Sequence, residues 1–193
     1  MEIPFKSFHK SPFSFRSEAT FQGMKIIQGF DGEKGWSINP MTGSKDPQPL
    51  TDEQNDRMKI QADYAGLFYN YKDKGYKVEY LGTDDEDDLE TYKIKLTRPS
   101  GDEITAFIDK DNYVMIKTKF KTIVQGVARE AESFFSNYKT VDGILEPYDI
   151  ETKFGGKTVS HIIVDRIEYG VNIPDSLFQM PKVNAVEDTA KEK

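Results

Sequence analysis

Alternation of apolar and polar residues with a period of two is the feature that most constrains what this chain can fold into. On either side of Gly23, apolar side chains fall on alternate positions, at Phe13, Phe15, Phe21, Met24, Ile26 and Phe30. The alternation returns in residues 76–80, 92–97, 104–108 and 113–121, and in the last run the opposite face carries Lys117, Lys119 and Lys121. This period is typical of strands with one apolar face, so we predict about nine or ten antiparallel strands in a meander.

One helix is predicted, over residues 51–69. Thr51, with Gln54 three residues later, matches a capping box, and acidic residues follow the cap at the positive end of the helix dipole. Apolar residues recur along it at three- and four-residue spacing, among them Met58, Ala62 and Ala65. Gly66 either divides this helix or ends its first segment. Residues 39–50 are rich in Pro and Gly and are predicted to be a loop.

The predicted fold class is therefore mainly β (α+β). An antiparallel sheet of this size must curl, and its apolar face must be covered. We expect an open, strongly curved half-barrel with the helix as a lid on the concave face, in a single domain over residues 1–181. Residues 182–193 are small and charged, which is typical of a disordered tail.

Composition excludes several classes of protein. The 193 residues include no cysteine, so disulfides, cysteine-bound metal centres and thiol nucleophiles are excluded. The net charge of −7 argues against a nucleic-acid binder, and no apolar stretch is long enough for a transmembrane helix. The first residues lack the features of a signal peptide, so the chain is either cytoplasmic or a processed or trimmed form.

Polar clusters do not indicate catalysis. Six acidic residues lie within residues 84–90, where we predict a solvated hairpin loop, because the glycine and glutamate of a calcium-binding loop are missing. Neither His9 nor His161 belongs to a recognisable metal or catalytic motif, and for His161 we expect a structural or surface role. We therefore predict no enzyme, no catalytic residue, no cofactor and no metal site.

The apolar residues of the strands are the candidate binding residues. One helix can fill little of the hollow of a wide curved sheet, so an apolar cavity for acyl chains is one interpretation and a filled core is the other. The candidate cavity residues are Phe15, Phe21, Met24, Ile26, Trp36, Tyr92, Ile94, Leu96, Ile116 and Phe120, with Met58, Ala62 and Ala65 on the lid.

Residues 11–43 resemble the signature stretch of the LolA/LolB-like lipoprotein-carrier superfamily, and more narrowly the outer-membrane lipoprotein-sorting proteins of Bacteroidota type. The matching points are Pro12, Phe15 and Arg16, then Asp31 and Gly32 before Trp36, then Pro40. Similar segments follow at residues 75–82, 92–96, 108–117 and 137–147. A closing segment at 172–181 fits the last strand of the family, so the likeness covers residues 10–181.

The resemblance implies a periplasmic half-barrel with a helical lid that holds lipoprotein acyl chains, without cofactor or catalysis. It implies that Phe15, Trp36 and the alternating apolar residues line the cavity. The expected partners are lipid or lipoprotein acyl chains and the inner- and outer-membrane sorting components, not nucleic acid, and we expect a monomer.

The chain also departs from the family pattern. The resemblance does not include the family's signal peptide, first helix or opening strands, so we expect that the chain begins in the middle of the family's fold. Ser11 stands where proteobacterial carriers have the arginine that latches the lid, which makes Arg16 the candidate latch. The alternatives are a protein-interaction or envelope-stress-sensing module on the same half-barrel, and an enzyme, which would need a convergent polar site.

Overall fold

The fold is described from a computed structural model. The structure describes residues 2–86, 89–124 and 127–182, without the side chains of residues 122–129. Apart from Lys182, the tail predicted at residues 182–193 lies outside the described residues, and so do Asp87 and Asp88 of the acidic run.

The described residues form strands, one α-helix and two 3₁₀ turns. The strands are β1 (Phe5–Lys10), β2 (Ser14–Phe21), β3 (Met24–Phe30), β4 (Gly35–Asn39), β5 (Ser44–Pro49), β6 (Lys77–Glu86), β7 (Leu89–Thr97), β8 (Glu103–Asp109), β9 (Met115–Val124), β10 (Val127–Val141), β11 (Ile144–Phe154) and β12 (Lys157–Ile163). The helix α1 covers Asp52–Ala62, and the 3₁₀ turns are η1 (Pro40–Thr42) and η2 (Asp175–Leu177). The predicted mainly β class with one helix is confirmed.

The chain divides into two compact units, an N-terminal unit of residues 1–66 with the segment from residue 172 on, and a second unit of residues 67–171. Strands β1–β5 form a five-stranded sheet in the first unit, and β6–β12 form a seven-stranded sheet in the second. Both sheets are antiparallel meanders in sequence order, as predicted, and neither closes on itself. That residues 1–181 form a single half-barrel domain stays a prediction.

Helix α1 begins where the sequence predicts and ends earlier. The Thr51 side chain accepts a hydrogen bond from the backbone N–H of Gln54 at 3.3 Å, and the Gln54 side chain accepts one from the Thr51 N–H at 2.9 Å. The prediction of a helix to residue 69 is wrong, because α1 ends at Ala62 and Ala65 lies in the turn that follows. Gly66 has a φ of +84°, a left-handed conformation that a helix cannot continue through.

The other differences from prediction are at strand ends and edges. Twelve strands are present among the described residues rather than nine or ten. Strand β5 lies within the predicted loop at residues 39–50, and it contains two prolines because it is an edge strand, where a missing N–H is tolerated. The segment at residues 172–181, predicted as a last strand, contains η2 instead.

Strand pairing divides the predicted apolar residues of the first sheet between its two faces. Phe15 pairs with Phe30, and directly opposed residues project from the same face of a sheet. The other pairs on this face are Ala19 with Ile26 and Phe21 with Met24. The predicted stripe through β2 and β3 therefore shares one face.

Trp36 is the exception, and its prediction on that face is wrong. The turn between β3 and β4 pairs Gly35 with Phe30, so that Trp36 pairs with Gly29 on the opposite face. A register shift of one residue moves every side chain of a strand to the other face, and sequence alternation alone does not specify the register across a turn.

Candidate functional site

One face of the five-stranded sheet packs against α1 and forms a filled core. Phe15, Phe30, Met58 and Ala62 make up the buried cluster, with Phe13 and Leu50 packed against it. Phe15 is only 2% exposed, so at this position the filled-core interpretation holds. Phe21, Met24 and Ile26 lie on the same face and are half-buried.

His9 lies beside this cluster. It pairs with Phe15 across β1 and β2, and its ring centroid lies 4.9 Å from that of Phe15 and 4.8 Å from that of Tyr64. Its Nδ1 is buried without a hydrogen-bond partner. Burial lowers the pKa of His9 below its usual value, so the ring is neutral at neutral pH.

Trp36 lies on the opposite face, beneath the C-terminal segment. Its ring is 1% exposed, and Nε1 donates a hydrogen bond to the Phe178 carbonyl oxygen at 2.7 Å. Gly29 lies against this ring, and a Cβ at Gly29 would approach it to 2.4 Å. Only glycine therefore fits below the indole, and the ring in turn anchors the C-terminal segment.

Arg16 belongs to the same arrangement. It pairs with Gly29 on the face opposite α1, its guanidinium lies 5.3 Å from the centroid of the Trp36 ring, and Nη1 donates to the Leu177 carbonyl at 3.0 Å. Lys10 makes a parallel contact, 2.6 Å from Asp175. The prediction that Arg16 latches the helical lid is wrong, because Arg16 contacts the C-terminal segment instead.

The seven-stranded sheet has one apolar face. Across β7 and β8, Ile94 pairs with Ala106 and Leu96 with Ile104, and Ile104 pairs in turn with Phe120 of β9. We call this surface the apolar face, and the candidate residues that share it are Tyr92, Ile94, Leu96 and Phe120. Leu96 and Ala106 are fully buried, so the filled-core interpretation holds at Leu96 as it does at Phe15. Val78 and Tyr80, at the β6 edge of this face, remain 37% and 60% exposed, so apolar surface is open to solvent at that edge.

A row of tyrosines extends this face toward one end of the strands. The ring centroids of Tyr80 and Tyr92 lie 6.3 Å apart, and those of Tyr92 and Tyr113 also lie 6.3 Å apart, with the latter pair stacked. Tyr113 is largely exposed. Of these three, only Tyr92 is a candidate from sequence, and Tyr113 lies before β9 rather than within the strand predicted at 113–121.

The other face of the seven-stranded sheet is charged, and we call it the charged face. Phe107 is buried there beneath three lysine ammonium groups, those of Lys93, Lys117 and Lys119, at 5.3–5.6 Å from its ring centroid. Cations over an aromatic face are attracted by the ring quadrupole. The lysines that alternate in the sequence therefore cover an aromatic ring rather than only facing solvent.

Lys117 is the most enclosed of these lysines. Its Nζ lies 2.7 Å from Glu86 and 3.4 Å from Glu132. Burial acts to lower the pKa of Lys117, but the hydrogen bond and charge of Glu86, aided by Glu132, outweigh it and raise the pKa. Burial likewise acts to raise the pKa of Glu132, but Lys117 and Lys119 outweigh it and lower the pKa.

The acidic run is only partly the solvated loop that we predicted. Asp84 and Glu86 lie in β6, where Asp84 is 3.0 Å from Lys93 and Glu86 pairs with Lys117. These carboxylates therefore neutralise lysines of the charged face. Only side-chain contacts across strands could reveal this, because the run alone is indistinguishable from a loop.

Ile116 does not join the other candidates on the apolar face. Phe107 pairs with Lys117 but Ile108 pairs with Met115, so Ile116 is the extra residue of a bulge. It lines a separate cavity of about 570 Å³, together with Lys117. Alternation counted through the bulge placed Ile116 with Phe120, and no local signal in the sequence marks the bulge.

Within the described ranges, no group of three or more His, Cys, Asp or Glu side chains could hold a metal ion. His161 lies on the exposed strand β12, with Nε2 2.8 Å from Asp149. In the same part of the chain, no helix is both long and apolar enough to cross a membrane.

Comparison with solved structures identifies proteins of similar fold. A LolA superfamily protein from Nitrosomonas europaea is 17% identical with a TM-score of 0.58, over 92% of this chain and 81% of that one. A domain described as an outer membrane lipoprotein-sorting protein from Vibrio parahaemolyticus is 14% identical with a TM-score of 0.52, over 86% and 79%. A DUF1329 family protein from Desulfovibrio piger is 13% identical with a TM-score of 0.57, over 92% and 81%.

At these identities the likeness concerns the fold alone, and the fold is LolA-like. No curated protein matches the sequence. The narrower assignment to the Bacteroidota type stays a prediction. The chain belongs to the family of uncharacterized proteins whose model matches residues 10–184, and it shares the fold of LolA superfamily proteins.

Proposed function

We propose that this protein is a non-catalytic periplasmic carrier that binds lipoprotein acyl chains, or a related lipid, on the apolar face of its seven-stranded sheet. The observation that carries the proposal is the exposed apolar edge at Val78 and Tyr80, continuous by strand pairing with the half-buried Ile94. Exposed contiguous apolar surface on a soluble protein is typical of a binding site. The LolA-like fold supports the same function by analogy.

In this proposal the carrier acts as a monomer and exchanges its cargo with inner- and outer-membrane sorting components. Burial of an acyl chain contributes about 0.8 kcal/mol per methylene, so affinity rises steeply with chain length. A filled surface would show no such dependence. Chain-length dependence therefore separates a carrier from a domain whose apolar face is only structural.

Native mass spectrometry of the purified protein and titration with fatty acids of increasing length test this function. We expect Ile94→Trp to weaken binding, because the larger ring occupies the apolar face. Thr97→Trp is the matched control, since Thr97 lies on the same strand but pairs with Lys77 and Glu103 on the charged face. Absence of bound or bindable lipid, or equal binding by both variants, contradicts the proposal.

A protein-interaction module is the second candidate function, and strand β12 favours it. This strand is an edge of the seven-stranded sheet, with Val159 and Ile163 both largely exposed. An exposed apolar edge strand can pair with a strand of another protein. A Val159→Lys variant that loses a specific protein partner while lipid titration of the wild type shows no binding would favour this function over the carrier.

A further inference from the structure

A second apolar site lies in the seven-stranded unit, away from the apolar face. Its volume of about 570 Å³ falls within the range of small-molecule sites, about 300–1,000 Å³. Two of its lining residues, Lys117 and Phe134, pair across β9 and β10 on the charged face. We call this site the end cavity, because it lies where hairpins and turns join the strands at one end of the sheet.

Irregularities in two neighbouring strands accompany the end cavity. In β9, Ile116 is the extra residue of a bulge, and in β10, Asn137 has a φ of +52° between the paired residues Ser136 and Tyr138. Bulges re-aim side chains and are frequent beside binding sites. The Tyr138 hydroxyl donates to the Met115 carbonyl, and burial, with the charge of Glu146, raises its pKa to about 12. The cavity wall is thus held by a hydroxyl that stays protonated.

The walls of the end cavity are mostly hydrocarbon. The apolar lining residues are Leu89, Val114, Ile116, Phe134, Phe135 and Leu145. Leu89 and Leu145 are 43% and 47% exposed, so apolar side chains reach solvent beside the cavity. An alkyl chain can therefore enter and replace water along these walls, which is favourable in proportion to the apolar area it covers.

The charged groups that line the end cavity carry a net negative charge. They are Glu86, Asp109 and Lys117, and because Glu86 lies 2.7 Å from Lys117 and neutralises it, the remaining charge is that of Asp109. Asp109 accepts hydrogen bonds from the Asn112 side chain at 2.8 Å and from the Asp111 N–H at 2.9 Å, and these lower its pKa. Asp109 is therefore ionised at neutral pH. An ammonium group is attracted to such a lining, whereas a carboxylate is repelled.

We propose that the end cavity binds a cationic amphiphile, a molecule with an alkyl chain and an ammonium head group. The chain packs on the hydrocarbon walls, and the head group lies near Asp109. This site is separate from the apolar face. Its proposed ligand has a positively charged head group, whereas a fatty acid has a negatively charged one. The proposal therefore stands whether or not the apolar face carries lipoprotein acyl chains.

Three ligands with the same chain and different head charges test the proposal. Dodecylammonium, dodecanol and dodecanoate are titrated calorimetrically into the full chain, the two ions below their micelle concentrations and dodecanol below its solubility limit. We expect dodecylammonium to bind at least tenfold more tightly than dodecanoate, with dodecanol between them. No binding of any of the three, or tightest binding of dodecanoate, overturns the proposal.

Variants locate the site. Ile116→Trp fills the cavity, and Leu145→Trp blocks its half-exposed rim with little risk to folding, so both are expected to lose dodecylammonium binding. Thr97→Trp, outside the cavity, is expected to keep it. Asp109→Asn is expected to abolish the preference for the ammonium head group. Circular dichroism checks that each variant is folded.

The result is independent of the proposed carrier function. Ile94→Trp, which tests acyl-chain binding on the apolar face, is titrated with dodecylammonium in parallel. Retained binding in Ile94→Trp together with loss in Leu145→Trp supports a separate end cavity, even if no fatty acid binds. Loss in Ile94→Trp with retention in Leu145→Trp places the amphiphile on the apolar face and overturns the proposal.

Discussion

The five-stranded and seven-stranded sheets differ in how their faces are covered. In the N-terminal unit, α1 packs on one face at Phe15 and the C-terminal segment packs on the other at Trp36. The seven-stranded unit has no helix among its described residues. On its apolar face Leu96 and Ala106 are buried while Val78 and Tyr80 at the β6 edge are exposed, and lysines cover the other face. The first sheet is therefore covered on both faces, whereas the second leaves an apolar edge exposed that a ligand can contact.

The largest expected effect follows from the closed packing of the five-stranded sheet. Trp36→Ala removes a buried ring and its hydrogen bond to Phe178, and we expect a loss of about 3–5 kcal/mol in the free energy of unfolding. Tyr80→Ala, at a 60% exposed aromatic residue of the seven-stranded sheet, should change it by about 0.5 kcal/mol or less. Urea denaturation followed by circular dichroism measures both, and equal losses would remove the contrast between the sheets.

A smaller effect is expected from the charged face. Lys117→Met keeps the stem that packs on Phe107 but leaves Glu86 and Glu132 without their cation, at an expected cost of about 1–3 kcal/mol. Lys95→Met removes a more exposed lysine that pairs with Glu79, and should leave stability nearly unchanged. If the two variants unfold at the same urea concentration, enclosure of the Lys117 pair does not matter.

The helix that covers the five-stranded sheet gives a third test. Thr51→Ala removes the acceptor for the Gln54 N–H, and we expect a loss of about 1 kcal/mol. Gln61→Ala, exposed on the same helix, should have no measurable effect. A cap variant as stable as wild type in urea would mean that tertiary packing alone holds α1 in place.

The smallest expected effect on stability at neutral pH is that of His9. In acid, His9 gives the clearest difference in stability between the two units. Because burial lowers its folded-state pKa, the unfolded chain takes up the proton first, and stability falls as pH drops below about 6.5. For Glu132 the folded pKa is lowered by lysines, so its contribution is lost only as pH falls below about 4.5. The free energy of unfolding of the full chain in urea should therefore differ between pH 7 and pH 5.5 in the wild type but not in His9→Phe. An unchanged pH dependence in His9→Phe would contradict this assignment.

Local patterns in the sequence predict the strands, the turns and the capping box. These features depend on residues within a few positions of one another, such as Thr51 and Gln54. The paired faces of β2 and β3 also follow from alternation, because the tight turn at Gln22 and Gly23 keeps the register in phase.

The features that sequence could not predict depend on register or on distant contacts. Alternation predicts the wrong face for Trp36, because it does not specify the register across the β3–β4 turn. Ile116 does not lie on the apolar face, because it is the extra residue of a bulge in β9. The role of Arg16 depends on the Leu177 carbonyl, 161 residues away in the chain, and no local pattern indicates that contact.

The packing of Trp36 has a practical consequence for spectroscopy. It is the single tryptophan of the chain, and its indole N–H is bonded to the backbone at Phe178. Its fluorescence therefore reports whether the C-terminal segment is docked, and it does so for the N-terminal unit alone. A red shift in Trp36 emission without loss of the β-sheet signal in circular dichroism would show that the C-terminal segment detaches while the strands stay folded. The protein therefore contains its own optical probe of that event.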